Sequence, residues 1–513
     1  MLSTVYSAGL FGIDGFVVTV EVDARPNLPS FELVGLPDLA VKEAKERVRT
    51  ACENSGFRFP EAALMVNLAP ADRRKEGSAY DMAILTGILH ATGTIRVPDL
   101  AGKCLIGELS LSGQVRGVRG VLCMCAAARD AGFSEIYVPA DNAAEAAAVR
   151  GIRVYGVRSM AELVDHLNGK CLMTPMEASE MGEDGTSYEG LDFSDVRGQT
   201  MAKRAMEIAA AGGHNILLIG PPGTGKSMLA KRLPSILPPL TFEEALVTTK
   251  IHSVSGTLPE GKALVTRRPF RSPHHTMSAV SLVGGGINPM PGEISLSHNG
   301  VLFLDELPEF PKQVTDGLRQ PLEDGRVTIT RANGRVTFPS KFMLVAAMNP
   351  CRCGYFGHPT RPCTCRAGDV TRYLSHVSGP LLDRMDIQIE LPSLSFDEIA
   401  TSDPTAESSA TIRARVTAAR AFARTRMADG GQGEVLCNAQ LDAAGVHRYC
   451  QTTPGAMTLL KQAYDRLGLS ARGHDRILRV ARTVADLDAS DIIREEHIAQ
   501  AIQLRSLDRK YWH

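Results

Sequence analysis

The segment GPPGTGKS, which follows the strand-like run NILLIG, constrains the fold of this chain more than any other feature. It consists of Gly220, Pro221, Pro222, Gly223, Thr224, Gly225, Lys226 and Ser227. Glycines allow the backbone to wrap a β-phosphate with its N–H groups, and a following helix adds the positive end of its dipole. Lys226 is then expected to reach the β- and γ-phosphates of ATP, and the Ser227 hydroxyl to bind Mg²⁺. The segment predicts an ATP site in a parallel-sheet domain.

Two further apolar runs end in polar side chains suited to hydrolysis. VLFLDE places Asp305 and Glu306 at the end of one predicted strand, and FMLVAAMNP places Asn349 at the end of another. Asp305 is expected to hold Mg²⁺ through water, and Glu306 to polarise the attacking water. The Asn349 amide suits the orientation of that water beside the γ-phosphate. Together with the phosphate loop, these residues predict an ATPase that uses ATP and Mg²⁺.

Two arginines are candidates for contact with the γ-phosphate. Arg384 follows an apolar turn in GPLLDRMDI, where it is expected to project from the subunit surface and to stabilise charge on a neighbour's nucleotide. Arg472 opens a predicted helix and is expected to touch the γ-phosphate of its own subunit. A surface salt bridge is the alternative for each arginine. If Arg384 acts in trans, the active form is an oligomer, most naturally a ring.

The chain separates into four regions. Residues 1–170 alternate β-like runs (Phe16 to Val22, Phe31 to Val34, Leu64 to Asn67, Glu135 to Val138) with helical stretches, typical of an α+β or α/β domain. Residues 171–190 carry five acids and no base, which indicates a flexible linker. Residues 191–392 show the strand–loop–helix pattern of a nucleotide domain, and residues 393–513 predict an all-helical domain.

Two helices are predicted within the first region. DLAVKEAKERVRTACENSG reads as one helix with its N-cap at Asp38 and its end at Gly56. YDMAILTGILHATG is apolar on most faces, which predicts a buried helix.

Charge and hydropathy bound the environment of the chain. The net charge is −1, so any nucleic-acid site must be a local patch. No apolar run approaches the ~20 residues of a membrane helix, and the first residues do not resemble a signal peptide. Eleven cysteines, four of them clustered, fit a reducing compartment better than a disulfide framework. We therefore expect a cytoplasmic protein.

The clustered cysteines lie in CRCGYFGHPTRPCTC, at Cys351, Cys353, Cys363 and Cys365. Two CxC pairs separated by nine residues can close a tetrahedral site for Zn²⁺, and His358 is a substitute for one thiolate. Four reduced structural cysteines are the alternative, and iron–sulfur ligation is a minor one. The position directly after Asn349 indicates a rigid clip rather than a catalytic element.

Basic residues on two segments are candidates for DNA contact. An insertion before VLFLDE contains Lys262, Arg267, Arg268, Arg271, His274 and His275, and its glycines 284–286 allow a mobile loop. VTIT-RANGR-VTF predicts a hairpin with Asn333-Gly334 at the turn, flanked by Arg331 and Arg335. Two basic loops around one motor site favour contact with DNA phosphates. A solvated basic loop is the alternative, and adjacent histidines rarely share one metal ion.

Several segments together resemble the ComM/YifB group of magnesium-chelatase-like AAA+ proteins: GPPGTGKS, RPFRSPHHTMSAVSLVGGG, PGEISLSHNGVLFLDELPEF, LRQPLEDG, AAMNPC and LLDRMDI. The resemblance covers nearly the whole chain. It implies a P-loop AAA+ parallel-sheet core with a helical lid, in a homo-hexameric ATPase that moves on single-stranded or branched DNA. It also implies helicase activity that promotes branch migration in natural transformation or recombination, with recombination proteins as partners.

The same resemblance assigns roles to individual residues. Asp305 and Glu306 correspond to the Walker B pair, Asn349 to sensor 1, Arg384 to the arginine finger and Arg472 to sensor 2. The chelatase label then records the ancestry of the ATPase domain, not metal insertion into a porphyrin. An alternative function is that of a chelatase-type ATPase that remodels a protein partner.

Residues 1–170 resemble the Lon protease fold. GELSLSGQVRGVRGVLCMCAAARDAGFSEIYVP is similar to the Lon segment that bears the catalytic lysine, whose position falls on Met124. KEGSAYDMA is similar to the serine loop, with the serine position near Ala79 and Ser78 one residue off. A Ser–Lys dyad needs an amine, which methionine lacks. We therefore expect a proteolytically inactive scaffold for ring assembly or DNA contact; a working protease with Lys103 or Lys75 as base is the alternative.

Overall fold

The computed structural model of the chain describes all residues except Met1, 178–189, Glu260, Ile287, 332–333, 396–397, 399–405, 429–436, Ser506, 508–510 and His513. It shows a mixed sheet in the first part of the chain, a parallel sheet in the middle and helices at the end. The predicted α/β fold class, with its parallel-sheet core and helical C-terminal region, is confirmed. Most of the predicted linker 171–190 lies outside the described residues, and the four region boundaries stay predictions.

The first part of the chain alternates strands with helices. Its strands are β1 (Leu2–Phe11), β2 (Asp14–Arg25), β3 (Ser30–Val34), β4 (Ala63–Ala69), β5 (Lys103–Leu105), β6 (Glu108–Leu109), β7 (Val115–Arg116), β8 (Glu135–Pro139) and β9 (Arg153–Val157). Its helices are α1 (Leu39–Lys42), α2 (Ala44–Asn54), α3 (Asp81–Ala91), α4 (Val121–Asp130), α5 (Ala143–Ala147) and α6 (Met160–Leu167). Seven strands form one sheet in the order β3-β4-β2-β1-β5-β8-β9, and the four predicted β-like runs all lie in it.

Local sequence signals explain the first helices. The Asp38 side chain accepts a hydrogen bond from the Val41 N–H, the N-cap that the sequence predicts. The single helix expected over 38–56 is divided at Glu43 into α1 and α2. Every residue of α3 is buried, as its apolar faces predict.

No hydrogen bond between Ser78 and a lysine amine is present among the described residues of the predicted serine loop. Met124 is buried on α4, and the Ser78 hydroxyl donates to the Glu108 carboxylate. The amine of Lys75 donates to the Pro70 carbonyl, and that of Lys103 pairs with Glu135. Both lysines considered as a substitute base are therefore engaged away from Ser78.

The rest of the chain contains the second sheet and the helical region. The strands are β10 (Ile216–Ile219), β11 (Phe270–Arg271), β12 (Gly284–Gly285), β13 (Met290–Pro291), β14 (Val301–Leu304), β15 (Arg326–Arg331), β16 (Gly334–Pro339), β17 (Met343–Met348) and β18 (Ile387–Glu390). The helices as far as β18 are α7 (Thr200–Gly212), α8 (Lys226–Ile236), α9 (Phe242–Ser255), α10 (Ala279–Val283), α11 (Glu293–Leu296), α12 (Lys312–Asp316), α13 (Arg319–Asp324), α14 (Ala367–Leu374) and α15 (Gly379–Leu382). Those after it are α16 (Ser409–Ala428), α17 (Ala443–Tyr449), α18 (Pro454–Leu467), α19 (Ala471–Leu487) and α20 (Glu495–Gln503).

The second sheet is parallel, in the order β11-β14-β17-β10-β18. Every residue of β10, β14 and β17 is buried, because helices cover both faces of such a sheet and select continuous apolar runs. Parallel strands share one carboxyl edge, so the segments that follow these three strands meet there.

The predicted hairpin is present as β15 and β16. Their antiparallel register pairs Arg331 with Gly334, so Gly334 belongs to a strand rather than to the turn; Asn333 lies outside the described residues. Val327, Ile329, Val336 and Phe338 are buried on one face of the hairpin. The turn between β1 and β2 packs closely against the hairpin. A side chain would not fit at either contact, because a Cβ added to Gly12 would lie 2.4 Å from the Val336 side chain, and a Cβ added to Gly334 would lie 2.9 Å from Phe11.

The C-terminal helices pack on the second sheet through apolar residues and inward-pointing arginines. Arg415 donates to Glu207 at 2.6 Å, and Arg420 donates to the Ala210 carbonyl at 2.6 Å, which ties α16 to α7. Arg482 is fully buried and bonds Asp486 on its own helix. Among the described residues, no helix is long and apolar enough to cross a membrane.

The buried His298, which lies in the chain just before β14, predicts that the stability of the protein depends on pH in a specific way. The His298 ring accepts the Lys341 N–H at 3.0 Å, and burial lowers its pKa to about 3. Between about pH 3 and the ordinary histidine pKa of about 6.5, the unfolded chain therefore carries a proton on this ring that the folded chain does not carry. The contribution of His298 to the free energy of unfolding is present above pH 6.5 and is lost as pH falls, by at most about 1.4 kcal/mol per unit.

His298→Asn keeps an acceptor for the Lys341 N–H and removes the titration. We expect the thermal midpoint of the wild type to fall more than that of the variant between pH 7.5 and 5.5, measured by differential scanning fluorimetry. Parallel pH profiles of the two proteins would contradict the assignment.

Candidate nucleotide site

The phosphate-loop segment forms the connection between β10 and α8. Gly223 and Gly225 have φ angles of 80° and 90°, in the left-handed region that glycine adopts without strain. A Cβ at either position would meet no atom within 4 Å, so backbone conformation and not space calls for glycine there. The loop delivers the chain to the N-terminus of α8, whose first N–H groups have no partner within the helix. This is the geometry that binds phosphate groups.

Lys226 is the first residue of α8 and is held inside the loop. Its amine donates to the Gly220 carbonyl at 2.7 Å, the Pro221 carbonyl at 2.8 Å and Asn349 Oδ1 at 3.1 Å. Burial lowers the pKa of Lys226 to about 8, with Asp305 opposing that shift. A nearby nucleotide phosphate would raise this pKa again, since an anion stabilises an ammonium group.

Ser227 and Asp305 provide oxygen atoms from two elements. The Ser227 hydroxyl donates to Asp305 Oδ2 at 2.6 Å, and Asp305 Oδ1 accepts the Glu306 N–H at 3.0 Å. A hydroxyl and a carboxylate at this spacing fit Mg²⁺, which prefers hard oxygen ligands. The structure thus brings together Lys226, Ser227, Asp305 and Asn349 at the carboxyl ends of β10, β14 and β17.

Glu306 follows Asp305 in an uncommon conformation. Its φ angle is 53°, in the left-handed region that non-glycine residues rarely occupy. Its carboxylate lies 3.4 Å from Nδ1 of His275, and the His275 ring packs against His274 in a tilted arrangement with 4.1 Å between ring centroids. The His275 ring therefore lies beside Glu306, and its role as a DNA contact stays a prediction. No pattern in the sequence connects residues 275 and 306.

Two arginines of the insertion form hydrogen bonds and ion pairs within the subunit. Arg268 is buried and donates to the Pro238 carbonyl at 2.6 Å, the Asn299 carbonyl at 2.7 Å and the Glu244 carboxylate at 3.0 Å. Arg271 donates two hydrogen bonds to Glu293, at 2.6 and 2.7 Å. The prediction of Arg268 as a DNA contact is wrong, because its guanidinium is buried and bonded within the subunit. Arg271 is partly exposed, and its role as a DNA contact stays a prediction.

The remaining basic candidates lie on the surface. Lys262, Arg267 and His274 are exposed on the insertion, and Arg331 and Arg335 are exposed at the end of the hairpin. The insertion and the hairpin also touch each other, since a Cβ added to Gly285 would lie 3.4 Å from Arg331 Nη2. These five residues keep their prediction as DNA contacts.

Arg384 and Arg472 lie at the opposite edge of the second sheet. Both line a cavity of about 670 Å³ whose walls include Asn215, Gly300 and Phe342, which precede β10, β14 and β17. The phosphate loop follows the other end of β10, so the four-residue strand separates them by roughly 13 Å or more. The expectation that Arg472 reaches its own subunit's γ-phosphate is therefore wrong.

Arg384 is less exposed than predicted. Its guanidinium pairs with Glu323 and donates to the Pro380 carbonyl at 2.6 Å, and its side chain is 12% exposed. Arg476 and Arg479, which the sequence interpretation did not single out, line the same cavity. The sequence contains a signal for them, because the arginines at 472, 476 and 479 have the spacing of residues that share one face of a helix. Burial lowers the pKa of Arg476 to about 10, and the nearby Asp386 carboxylate opposes that shift.

The four clustered cysteines converge on one point. Their sulfur atoms all lie within 4.8 Å of one another, with 3.3 Å between Cys351 and Cys353 and 3.5 Å between Cys353 and Cys363. A tetrahedral zinc site with 2.3 Å bonds has sulfur atoms roughly 3.8 Å apart, so the set fits Zn²⁺. His358 instead bonds the Ser393 hydroxyl at 2.9 Å, which leaves four thiolates as the ligand set.

The cysteine loop also touches the phosphate loop. A Cβ added to Gly354 would lie 2.6 Å from Pro222 Cδ, and Cys351 is packed in the core beneath the second sheet. Burial raises the pKa of Cys353, but hydrogen bonds from the Tyr355 and Thr364 N–H groups and with the Cys351 and Cys363 thiols together lower it to about 5, which favours a thiolate ligand.

Three family models match this chain. "Magnesium chelatase, subunit ChlI" matches residues 192–399, "Subunit ChlI of Mg-chelatase" matches residues 20–142, and "Magnesium chelatase, subunit ChlI C-terminal" matches residues 406–505. The first match contains the phosphate loop, both acids, Asn349 and Arg384, and the third contains Arg472.

Full-length relatives are also similar. Competence protein ComM of Haemophilus influenzae is 42% identical over 515 residues, which cover 99% of this chain and 98% of that protein. YifB of Escherichia coli K12 is 41% identical, with 100% of this chain and 98% of YifB covered. An uncharacterized protein of Mycobacterium tuberculosis H37Rv is 42% identical, with 98% of each chain covered.

Proposed function

This chain belongs to the ComM/YifB family of magnesium-chelatase-like AAA+ proteins, and we propose on this premise that it is an ATP-hydrolysing ring motor that acts on DNA. The observation that carries the proposal is the connected cluster of Lys226, Ser227, Asp305 and Asn349 at the carboxyl edge of the second sheet. Such a cluster has a complete set of groups for positioning a nucleotide and its metal ion.

Each of these residues has a separate role in the proposed hydrolysis of ATP. The phosphate loop and Lys226 hold the β- and γ-phosphates, and Ser227 and Asp305 hold Mg²⁺. When bound, Mg²⁺ neutralises charge on the phosphate oxygens. Asn349 orients water, and Glu306 accepts its proton as water attacks the γ-phosphate.

The second half of each site comes from a neighbouring subunit. Arg384 and Arg472 line a cavity at the far edge of the sheet, out of reach of their own phosphate loop. In a closed ring each cavity faces the next subunit's nucleotide, and its guanidinium groups stabilise the charge of the transition state. We propose a homo-hexamer, as the family resemblance implies.

DNA is the proposed substrate of the motor. Arg331 and Arg335 project from the hairpin, and exposed Lys262, Arg267 and His274 lie on the neighbouring insertion. Cations on two adjacent loops suit the phosphates of single-stranded or branched DNA. The Haemophilus influenzae relative is a competence protein, so we propose a cytoplasmic helicase that promotes branch migration in natural transformation or recombination, together with recombination proteins.

A second candidate function is remodelling of a protein partner. It is favoured by the three matching family models, which all describe a chelatase subunit. Steady-state ATP hydrolysis without DNA, with single strands and with a four-way junction separates the two functions. A DNA motor is stimulated by DNA, whereas hydrolysis that is indifferent to every DNA supports the second candidate.

Removal of the two exposed arginines at the end of the hairpin tests whether the hairpin binds DNA. Arg331→Ala combined with Arg335→Ala is expected to weaken DNA binding and to reduce its logarithmic salt dependence by about 2, because each lost phosphate contact reduces the slope by about 1. Fluorescence anisotropy with a labelled single strand at several salt concentrations measures this. Arg326→Ala, at the other end of β15, is the control. An unchanged salt slope in the double variant would remove the hairpin from the DNA interface.

The cysteine cluster predicts a bound metal. Protein purified without chelator is expected to contain about one zinc ion per chain, measured by elemental analysis, because four converging thiolates form a closed structural site. Cys363→Ser is expected to lose most of it, and Cys171→Ser, at an exposed cysteine, to keep it. A wild-type protein free of zinc, or one that contains iron, would favour the thiol or the iron–sulfur alternative.

A further inference from the structure

The segment between β17 and α14, residues 349–366, is the cysteine loop. The structure describes every residue of this loop and shows no helix or strand in it. Of its side chains and glycines, only Pro350, Cys351 and Gly354 are buried, so apolar packing fixes little of its course. Loops of this length without secondary structure are uncommon in compact domains, and an ordered one needs another constraint. Four cysteine side chains that meet at one point provide that constraint.

The cysteine sulfur atoms are spaced for a metal ion and not for disulfides. The sulfur atoms of Cys351 and Cys363 lie 3.6 Å apart, and those of Cys353 and Cys363 lie 3.5 Å apart. A disulfide bond is about 2.05 Å long, whereas two thiolates on one tetrahedral zinc ion are separated by roughly 3.8 Å. A zinc ion at this point joins Cys351 to Cys365, near the two ends of the cysteine loop, and thereby fixes the course of the chain between them.

The cysteine loop contacts the phosphate loop at Gly354. The Gly354 N–H donates to the Cys351 carbonyl at 3.0 Å, so a metal ligand sets the position of this glycine. A Cβ added to Gly354 would lie 2.6 Å from Pro222 Cδ, which means that the glycine backbone packs directly on the proline ring. Pro222 immediately precedes Gly223 in the phosphate loop. The backbone that the metal holds is therefore a wall against which the phosphate loop rests.

A second connection reaches the phosphate loop through the segment that follows β18. The His358 ring forms a hydrogen bond of 2.9 Å with the Ser393 hydroxyl. The carbonyl of the preceding Pro392 accepts a hydrogen bond from Gln199 Nε2 at 2.9 Å, and the same amide donates to the Thr224 carbonyl at 3.3 Å. The cysteine loop is thus connected to both the proline and the threonine side of the phosphate loop.

The first metal ligand also lies close to the residue that is expected to orient water. Cys351 follows Asn349 by two residues, and Asn349 Oδ1 accepts a hydrogen bond from the Lys226 amine at 3.1 Å. A metal ion bound to Cys351 therefore fixes the backbone on the carboxyl side of Asn349. The contacts of the cysteine loop converge on the groups that hold the nucleotide phosphates.

We propose that a zinc ion held by the four cysteines positions the phosphate loop, so that the affinity of the chain for nucleotide depends on the metal. Gly354 is the positioning residue that connects the metal ligands to Pro222. This inference rests on the proposed ATP site and the proposed zinc site, and it adds a functional link between them. A closed site of four thiolates leaves no open position on zinc, so the metal acts through the backbone that it holds.

Removal of the metal from the full chain tests this link. The protein is treated with a chelator, separated from it by gel filtration, and titrated with a fluorescent ADP analogue in Mg²⁺ before and after Zn²⁺ is returned. We expect zinc removal to raise the Kd of the analogue about tenfold, the loss expected when the loop has its binding conformation about one tenth of the time. Zn²⁺ should restore the original Kd. Cys363→Ser is expected to lose both zinc and affinity, whereas Cys363→His keeps a zinc ligand and should retain both.

Gly354→Ala tests the contact with Pro222 while all four thiolates stay in place. Because the added methyl group displaces the proline ring, we expect a wild-type zinc content and a Kd for the ADP analogue that is raised about tenfold. Gly468→Ala is the matched control, since Gly468 also has a positive φ, of 62°, and a Cβ added there would meet no atom within 4 Å. Both variants are expected to keep the wild-type affinity for a labelled single strand, measured by anisotropy without nucleotide.

The outcomes separate this inference from the proposed function. A wild-type Kd for the analogue in the zinc-free chain, or in Gly354→Ala, overturns the inference. It is also overturned if Gly468→Ala raises the Kd equally, or if DNA affinity is lost together with nucleotide affinity, because a general loss of structure then explains the effect. A wild type that binds the analogue but contains no zinc overturns the inference and leaves the ATP site intact. A zinc-containing wild type that does not bind the analogue refutes the proposed ATP site and, with it, this inference.

Discussion

Replacing Glu306 with glutamine is expected to leave ATP bound and to lower kcat by roughly a hundred- to ten thousand-fold, the contribution of a general base. Glutamine has nearly the same shape as glutamate but cannot accept a proton from the attacking water. Asp305, Ser227 and Lys226 keep their mutual contacts, so Mg²⁺ and phosphate binding should survive. Steady-state phosphate release measures kcat, and a fluorescent ATP analogue measures binding.

Glu309→Gln is the matched control for this variant. Glu309 is an exposed acid three residues along the same segment, outside the cluster that binds phosphate and metal. It should leave both rate and affinity near the wild-type values. Continued turnover in Glu306→Gln would show that another group accepts the proton and would refute the assigned base.

Arg384→Ala is expected to lower kcat by about a thousandfold, the smaller end of what arginine fingers contribute. Arg384 lines the cavity at the far edge of the sheet. The expected effect is large because the proposed role of its guanidinium is to stabilise the negative charge that develops in the transition state. Since that cavity is at the edge of the sheet opposite the phosphate loop, we expect Arg384 to act on the nucleotide of a neighbouring subunit. Arg372→Ala, on the exposed side of α14, is the control.

A mixing experiment tests action in trans. Lys226→Ala subunits retain Arg384 but lose their own site, and Arg384→Ala subunits retain a site but lose the finger. At equal amounts, about one quarter of the interfaces in a randomly mixed ring combine an intact loop with an intact finger. Phosphate release should therefore recover to about a quarter of the wild-type rate. Two inactive variants that stay inactive when mixed would contradict a shared site.

Local patterns predicted the elements of the nucleotide site. The run of apolar residues before Gly220, and those before Asp305 and Asn349, each form a fully buried strand of one parallel sheet. Because a parallel sheet brings the carboxyl ends of its strands to one edge, the order of strand and polar residue was enough to predict that these side chains meet. The same logic located the Asp38 cap and the hairpin from short segments.

Such local patterns could not predict contacts between segments that are far apart in the sequence. Arg268 and Arg271 have the composition of a DNA-binding loop, yet they bond Glu244 and Glu293, which fold beside them. Cationic residues of a loop are equally suited to carbonyls, carboxylates or phosphates, and only neighbours decide among these partners. The pairing of His275 with Glu306 has the same origin.

The sequence by itself determined the chemistry of the candidate site, because the groups that bind phosphate and metal follow buried strands at fixed short spacings. Tertiary structure alone decided which side of the sheet each arginine occupies: Arg472 lies with Arg384 at the edge opposite the phosphate loop. It also decided that four cysteines converge and that the Glu306 carboxylate lies 3.4 Å from Nδ1 of His275. The physical reason is that hydrogen bonds and ion pairs act over a few ångströms, and only the folded chain sets which distant residues come within that range.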